Sequence, residues 1–129
     1  MKYDYTTGKV YLIKCNVTGI GYVGSTKVPL KDRLNRHKTD YKGFMGLLNK
    51  PRNYRASADI LINEDYDIYV LEDYPCECRQ QLEKRESMWQ IFLSKKIVLT
   101  NRNHHFSIFF LFFIFFSILR SIYFSYHSC

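Results

Sequence analysis

The chain lacks a cysteine framework. Cys15, Cys76, Cys78 and Cys129 are scattered, and the C-x-C at 76–78 is too tight for the usual zinc knuckle, with no second pair to complete one. That argues against a disulfide-stapled scaffold or a zinc ribbon and points to thiols in a reducing, intracellular compartment. No secretory leader is expected, because the first 15 residues are charged and polar. No internal repeat is visible, which excludes a solenoid, and 129 residues leave room for one domain at most. Acidic residues are scarce at the start: residues 1–55 hold 3 Asp/Glu against 12 Lys/Arg, whereas residues 56–105 hold 9 against 6. The net charge of +7 therefore sits in the first half. A basic half favours a polyanion, nucleic acid being the commonest, although a solvated basic face carries the same signature.

The C-terminal end lacks charge almost entirely. Residues 106–119, FSIFFLFFIFFSIL, contain none, and residues 106–129 hold eight of the ten Phe. This run falls short of the roughly 20 apolar residues that span a bilayer as a helix. Extension through Arg120 to Tyr126 reaches that length with a positive charge inside it. The run is low in complexity and has no amphipathic period. Two readings stand for it, a C-terminal membrane anchor and a frameshifted or otherwise non-native end. The domain proper is expected to be residues 1–105.

What is present ahead of the tail is patterned. KVYLIKC at 9–15 and IGYVG at 20–24 read as paired strands around the turn residues NVTG. Pro29 suits the first turn of a helix running to about Lys38, with Leu30 and Leu34 as its buried stripe. Arg33 and His37, four apart, share one face of it, with Arg36 close by. GFMGLLNK at 43–50 reads as a short helix closed by Pro51, and RNYRAS as a loop. YDIYVLEDY at 66–74 alternates as a third strand, and the pattern from Glu77 to about Lys96 is helical. IVLTN then extends to Asn101. The expected fold is a small α/β (α+β) domain, a three-stranded antiparallel sheet flanked by helices in the order β-β-α-(α)-β-α.

One residue of the last helix stands out. At about 100° per residue, Glu86 lies about 40° from Leu82, inside the stripe that Trp89 and Leu93 continue. A carboxylate on an inward face must be paired, hydrogen-bonded or bound to a metal. The plainer reading is a buried salt bridge to Arg33 or Arg85.

In their order these residues resemble the GIY-YIG nuclease domain: KVYLI at 9–13, YVGST at 22–26, DRLNRH at 32–37, RESMWQIF at 85–92 and TN at 100–101. The resemblance covers residues 8 to about 103. The second motif with Arg33 and His37 is most similar to the homing-endonuclease branch. Lys9 stands where the first tripeptide carries glycine, with Gly8 adjacent, and Val replaces Ile in both tripeptides. Ser25 stands where some repair-type members carry lysine.

The resemblance implies a metal-dependent DNA endonuclease. It matches Tyr11 and Tyr22 to the signature tyrosines, Gly24 to the glycine after the second, and Arg33 to the catalytic arginine. His37 matches the histidine one turn later, Glu86 the metal-binding glutamate, and Asn101 a supporting asparagine near the end of the domain.

The chemistry is consistent with those residue types. One inward carboxylate suits a single Mg2+ (or Mn2+) ion held by Glu86, with water and phosphate oxygen completing its shell. Arg33 offers a fork to the phosphate and keeps its charge. A tyrosine of pKa ~10 must be depressed to act as a base near neutrality, and Arg33, the ion and His37 are the candidates to do that. The resemblance implies that a signature tyrosine acts on the water, with Tyr11 the first choice and Tyr22 holding water in the ion's shell, though the sequence does not separate the two roles. Gly24, Ser25, Lys27, Lys31, Arg36 and Lys38 are expected at the DNA surface, the cations meeting phosphates.

Two other classes compete: a catalytically inactive nucleic-acid-binding module, and a membrane-tethered protein whose tail dictates its function. Nothing resembles a DNA-recognition region, so a separate recognition domain or partner protein is expected to supply specificity.

Overall fold

The computed structural model describes residues 4–101; the hydrophobic tail at 106–129 lies outside the described residues. The elements run β1 (Lys9–Cys15), β2 (Gly21–Thr26), α1 (Leu30–Phe44), α2 (Ala58–Leu61), β3 (Tyr66–Asp73) and α3 (Arg79–Ser94). They form a three-stranded antiparallel sheet in the order β2-β1-β3, with helices against it. The α+β class and the element order are those the sequence pattern leads one to expect.

The sheet divides two apolar layers, as a period-2 strand buried on both sides must. Val10, Leu12 and Val23 face α3 and pack with Leu82 and Leu99. Tyr11, Ile13 and Cys15 face the other way, toward Ile60 of α2 and toward Leu30 and Leu34 of α1. The register shifts between Val10, opposite Glu72, and Tyr11, opposite Val70. Leu71 is the extra residue of this bulge and turns toward the α3 layer. Arg85 of α3 clamps Glu72 with its Nε and, at 2.8 Å, its Nη2, while Trp89 Nε1 donates to the same carboxylate at 3.1 Å. Glu72 thus fastens α3 to the sheet.

Several boundaries differ from expectation. α1 runs on to Phe44, and the short helix expected at 43–50 does not form; α2 supplies that element later, at 58–61. Gly43 is the reason α1 can continue under the following loop: Arg52 lies where a Cβ at that position would project. The helix stops at Gly46, whose φ of 77° is the left-handed conformation that ends helices. Pro29 caps α1 from just outside it. β2 extends beyond Gly24 through Thr26, which carries Ser25 to the rim of the sheet. Residues 98–100 add a short parallel bridge to its free edge, with Gly21 N–H donating to Val98 O and Thr100 N–H to Gly21 O, both at 2.9 Å. Cys15 and Cys76 are free thiols as expected.

Candidate active site

β1 and β2 place Tyr11 and Tyr22 on the α1 side of the sheet, their ring centroids 6.4 Å apart. Tyr11 sits opposite Gly24 in the ladder. A Cβ on Gly24 would lie 2.5 Å from Tyr11 Oη and 2.6 Å from its Cζ. Glycine is required there for space, so that the phenol can cross the neighbouring strand.

α1 delivers its two matched residues to that phenol. Arg33 Nε donates to Tyr11 Oη at 3.0 Å, and His37 Nε2 stands 2.7 Å from the same oxygen. No other acceptor for the phenol proton occurs among the described residues, so the hydroxyl donates to Nε2. His37 therefore carries its own proton on Nδ1 and donates it to Ser57 Oγ, 2.8 Å away. Tyr22 packs edge-on to the imidazole with centroids 5.2 Å apart. Tyr11, His37 and Ser57 are 0%, 4% and 1% exposed.

Burial decides the proton affinities. It pushes Tyr11 well above the usual phenol value, outweighing the pull of Arg33. It raises Tyr22 as well, with Glu86 adding to the rise and Arg33 and Arg55 opposing it. Among the groups present, desolvation of the phenolate outweighs the pull of Arg33 in this sealed layer. Burial also drives His37 down to about 3, helped by Arg33, Arg55 and Arg36. The imidazole is accordingly neutral near pH 7, an acceptor at Nε2.

Glu86 approaches from the opposite side. Its Oε1 accepts from Ser25 Oγ at 2.9 Å and its Oε2 from Gln90 Nε2 at 3.5 Å. The plainer reading of a salt bridge to Arg33 or Arg85 fails. Arg85 is spent on Glu72, and Glu86 makes no ion pair among the described residues. Burial raises its pKa, against the Ser25 hydrogen bond. Glu86 and Arg33 line one cleft of about 460 Å³ at the end of β2. Lys27, Arg36, Arg55 and Arg79 add cations to its walls, and Asp32 and Glu83 add acids, so the lining is net positive.

The remaining matched residues are placed as follows. Gly24 lies under Tyr11, and Ser25 holds Glu86. Lys31 and Lys38 are exposed on α1 and do not line the cleft. Asn101 stands at the outer edge of β2, where its amide accepts from Val23 N–H at 3.0 Å and donates to Val23 O at 2.9 Å. It holds the strand that carries Tyr22 and Ser25. Sequence reasoning missed Ser57, Gln90 and Arg55. Gln90, one turn after Glu86, had a helical-spacing signal; Ser57 and Arg55 lie in an irregular segment with none.

No cluster of three or more His, Cys, Asp or Glu side chains able to hold a metal occurs among the described residues. The donor set is one hard, oriented carboxylate beside a cleft open to phosphate and water. That set fits magnesium, which keeps several waters and commonly takes one or two protein carboxylates.

The fold is thus an α+β domain whose strand tyrosines meet an arginine and a histidine of α1, with the Glu86 carboxylate in the cleft that Arg33 lines. The family model of the GIY-YIG catalytic domain matches residues 7–96, more than half the chain, and the protein belongs to that family. Its members are generally nucleases that use a divalent metal and act on DNA. No curated protein and no solved structure matches the chain.

Proposed function

We propose that the protein is a DNA endonuclease hydrolysing backbone phosphodiester bonds at the Tyr11–Arg33–His37–Glu86 site. The observation that carries this reading is the buried hydrogen-bonded chain from Arg33 through Tyr11 to His37, whose Arg33 end lines one net-positive cleft together with Glu86. We read Tyr22-Val23-Gly24 together with Arg33 and His37 as most like the homing-endonuclease branch.

Glu86 would hold a single Mg2+ or Mn2+, which when bound supplies Lewis-acid stabilisation of the phosphoryl and leaving oxygens. Ser25 and Gln90 orient that carboxylate. Arg33 binds the non-bridging phosphate oxygens. Its side chain covers the phenol oxygen of Tyr11, and drawing the guanidinium onto a phosphate opens that oxygen to water. The attacking water then gives its proton to Tyr11 Oη while Tyr11 passes its own to His37 Nε2, so no free phenolate forms. Ser57 accepts from Nδ1 and supports the imidazolium that results. DNA also offsets the three arginines that depress His37, so substrate binding raises the basicity of the terminal acceptor. Tyr22 is held in the same layer and orients water toward the cleft.

The test is nicking of supercoiled plasmid by the full chain with Mg2+, beside Glu86→Ala and Arg33→Ala. Activity that vanishes in both variants and with chelator supports the reading. A folded protein that retards DNA without nicking it overturns the reading in favour of an inactive binding module. Cleavage by this domain is expected at ends of little sequence preference, with a partner or separate domain supplying specificity. A sharp consensus in the sequenced ends would contradict that.

A further inference from the structure

Residues 45–57 form no helix or strand, yet they are built into the fold from both sides. Tyr54 packs edge-on to Phe44 at 5.4 Å, and its hydroxyl donates to Asp59 at 2.7 Å. Arg52 rests over Gly43, and Ala58 N–H donates to Arg55 O at 2.9 Å. The carboxylate of Asp40, only 9% exposed, sits between two guanidiniums, with Arg52 Nη1 at 3.4 Å and Arg55 Nε at 3.7 Å.

We propose that Arg55 is a second phosphate-binding arginine, presented by this loop to the DNA backbone next to the catalytic cleft. The inference rests on the nuclease reading above and extends it to a residue that no motif of the sequence marks.

Three features carry it. Arg55 lines the cleft that holds Glu86 and Arg33, and it also borders an adjoining hollow of about 470 Å³ formed with Asp40, Arg52 and Tyr54. It therefore stands where the cleft opens onto the neighbouring surface. Its side chain is 62% exposed and meets Asp40 through Nε alone. The two terminal nitrogens have no partner among the described residues, which leaves the planar edge that grips a phosphate bidentately. Finally, one carboxylate faces two arginines, so the group keeps a positive charge for a polyanion. With the guanidinium 62% exposed and its Nε 3.7 Å from the carboxylate, solvent screens the pair on the arginine side and it contributes little to stability. Positioning the guanidinium is the better account of the contact, since a pre-ordered side chain loses less entropy on binding. The pull of Arg55 on the proton affinities of His37 and Tyr22 places it within electrostatic reach of both.

The measurement is binding of the full chain to a fluorescently labelled duplex, in chelator, across a range of salt. Wild type, Arg55→Ala and Arg55→Lys are compared, with plasmid nicking in Mg2+ run on the same preparations. Removing one phosphate contact lowers the slope of log K against log salt by about 0.9. Arg55→Ala is expected to show that loss and roughly fivefold to tenfold weaker binding at physiological salt, and Arg55→Lys to recover the slope. A slope unchanged in Arg55→Ala overturns the proposal, and an unchanged melting temperature shows that variant to be folded. Wild type that binds with the Arg55-dependent slope but never nicks would remove the nuclease reading and leave the phosphate contact standing. Wild type that nicks while Arg55→Ala binds identically would remove the contact alone.

Discussion

Tyr11 Oη lies 2.7 Å from His37 Nε2 inside a layer that exposes neither side chain to more than a trace of solvent. In the proposed reaction that pair sets the direction of proton movement: the phenol gives and the neutral imidazole receives, with Arg33 Nε donating to the same phenol oxygen at 3.0 Å.

Tyr11→Phe preserves the ring and deletes only that oxygen. Nicking is expected to fall about 10²–10⁴-fold, the usual size of a general acid–base contribution. Duplex binding measured in chelator should not change. Full activity in Tyr11→Phe would remove the relay and shift the base role to Tyr22.

The pH dependence of stability follows from His37, which titrates near 6.5 when unfolded and near 3 when folded. Between those values the unfolded chain binds the proton and the native one does not. Its contribution is complete above about pH 6.5 and is lost as pH falls toward 3, by at most ~1.4 kcal/mol per unit. Glu86, with a raised pKa, acts with the opposite sign but over the carboxylate range. Ring ¹⁵N shifts of His37 should show Nδ1 protonated and Nε2 bare down to about pH 5. An imidazolium signature at pH 6 would contradict the burial argument.

Ser25 bonds the carboxylate proposed to hold the ion. Ser25→Ala is expected to raise the Mg2+ concentration for half-maximal nicking about 10–100-fold while leaving the maximal rate within reach at high metal. Glu86→Gln should not be rescued by any metal concentration. Equal metal requirements in wild type and Ser25→Ala would show that the hydroxyl does not position Glu86.

Gly24→Ala brings a methyl to within 2.6 Å of the Tyr11 ring, and the ring must move. Loss of about 1–3 kcal/mol is expected from such overpacking, together with a fall in nicking larger than the stability loss explains. Melting and activity measured on one preparation separate the two effects. A fully active, undestabilised Gly24→Ala would mean that the phenol does not need this close approach.

Asn101→Ala leaves Val23 N–H without its acceptor and weakens the outer edge of β2. A cost of about 1–3 kcal/mol follows from the unpaired amide. DNA binding should be retained, because Asn101 does not line the cleft. A wild-type melting temperature in Asn101→Ala would exclude this edge-holding role.

Much of this arrangement is written in local patterns. Period-2 runs at 9–15 and 66–73 and the helical period from 79 to 94 set the elements. The four-residue spacing of Arg33 and His37 sets their common face. Spacing alone also turned Glu86 inward, because angular position on a helix depends only on residue number.

Tertiary structure decided the rest, for a physical reason that spacing cannot express. How deeply Tyr11 is buried depends on α1, α2 and Gly24 together, and that burial is what outweighs the pull of Arg33 on its pKa. Arg85 takes Glu72 rather than Glu86 as its partner, beside a bulge at Leu71 of β3 that local spacing does not reveal. Ser57 and Arg55 reach the site through a loop with no period to read, held by Gly43, Phe44 and Asp40 from a helix that the local pattern ended too early. By itself the sequence determined which side chains share a face of one element. Desolvation and choice of partner are sums over residues far apart in the chain, and only the folded structure brings those residues together.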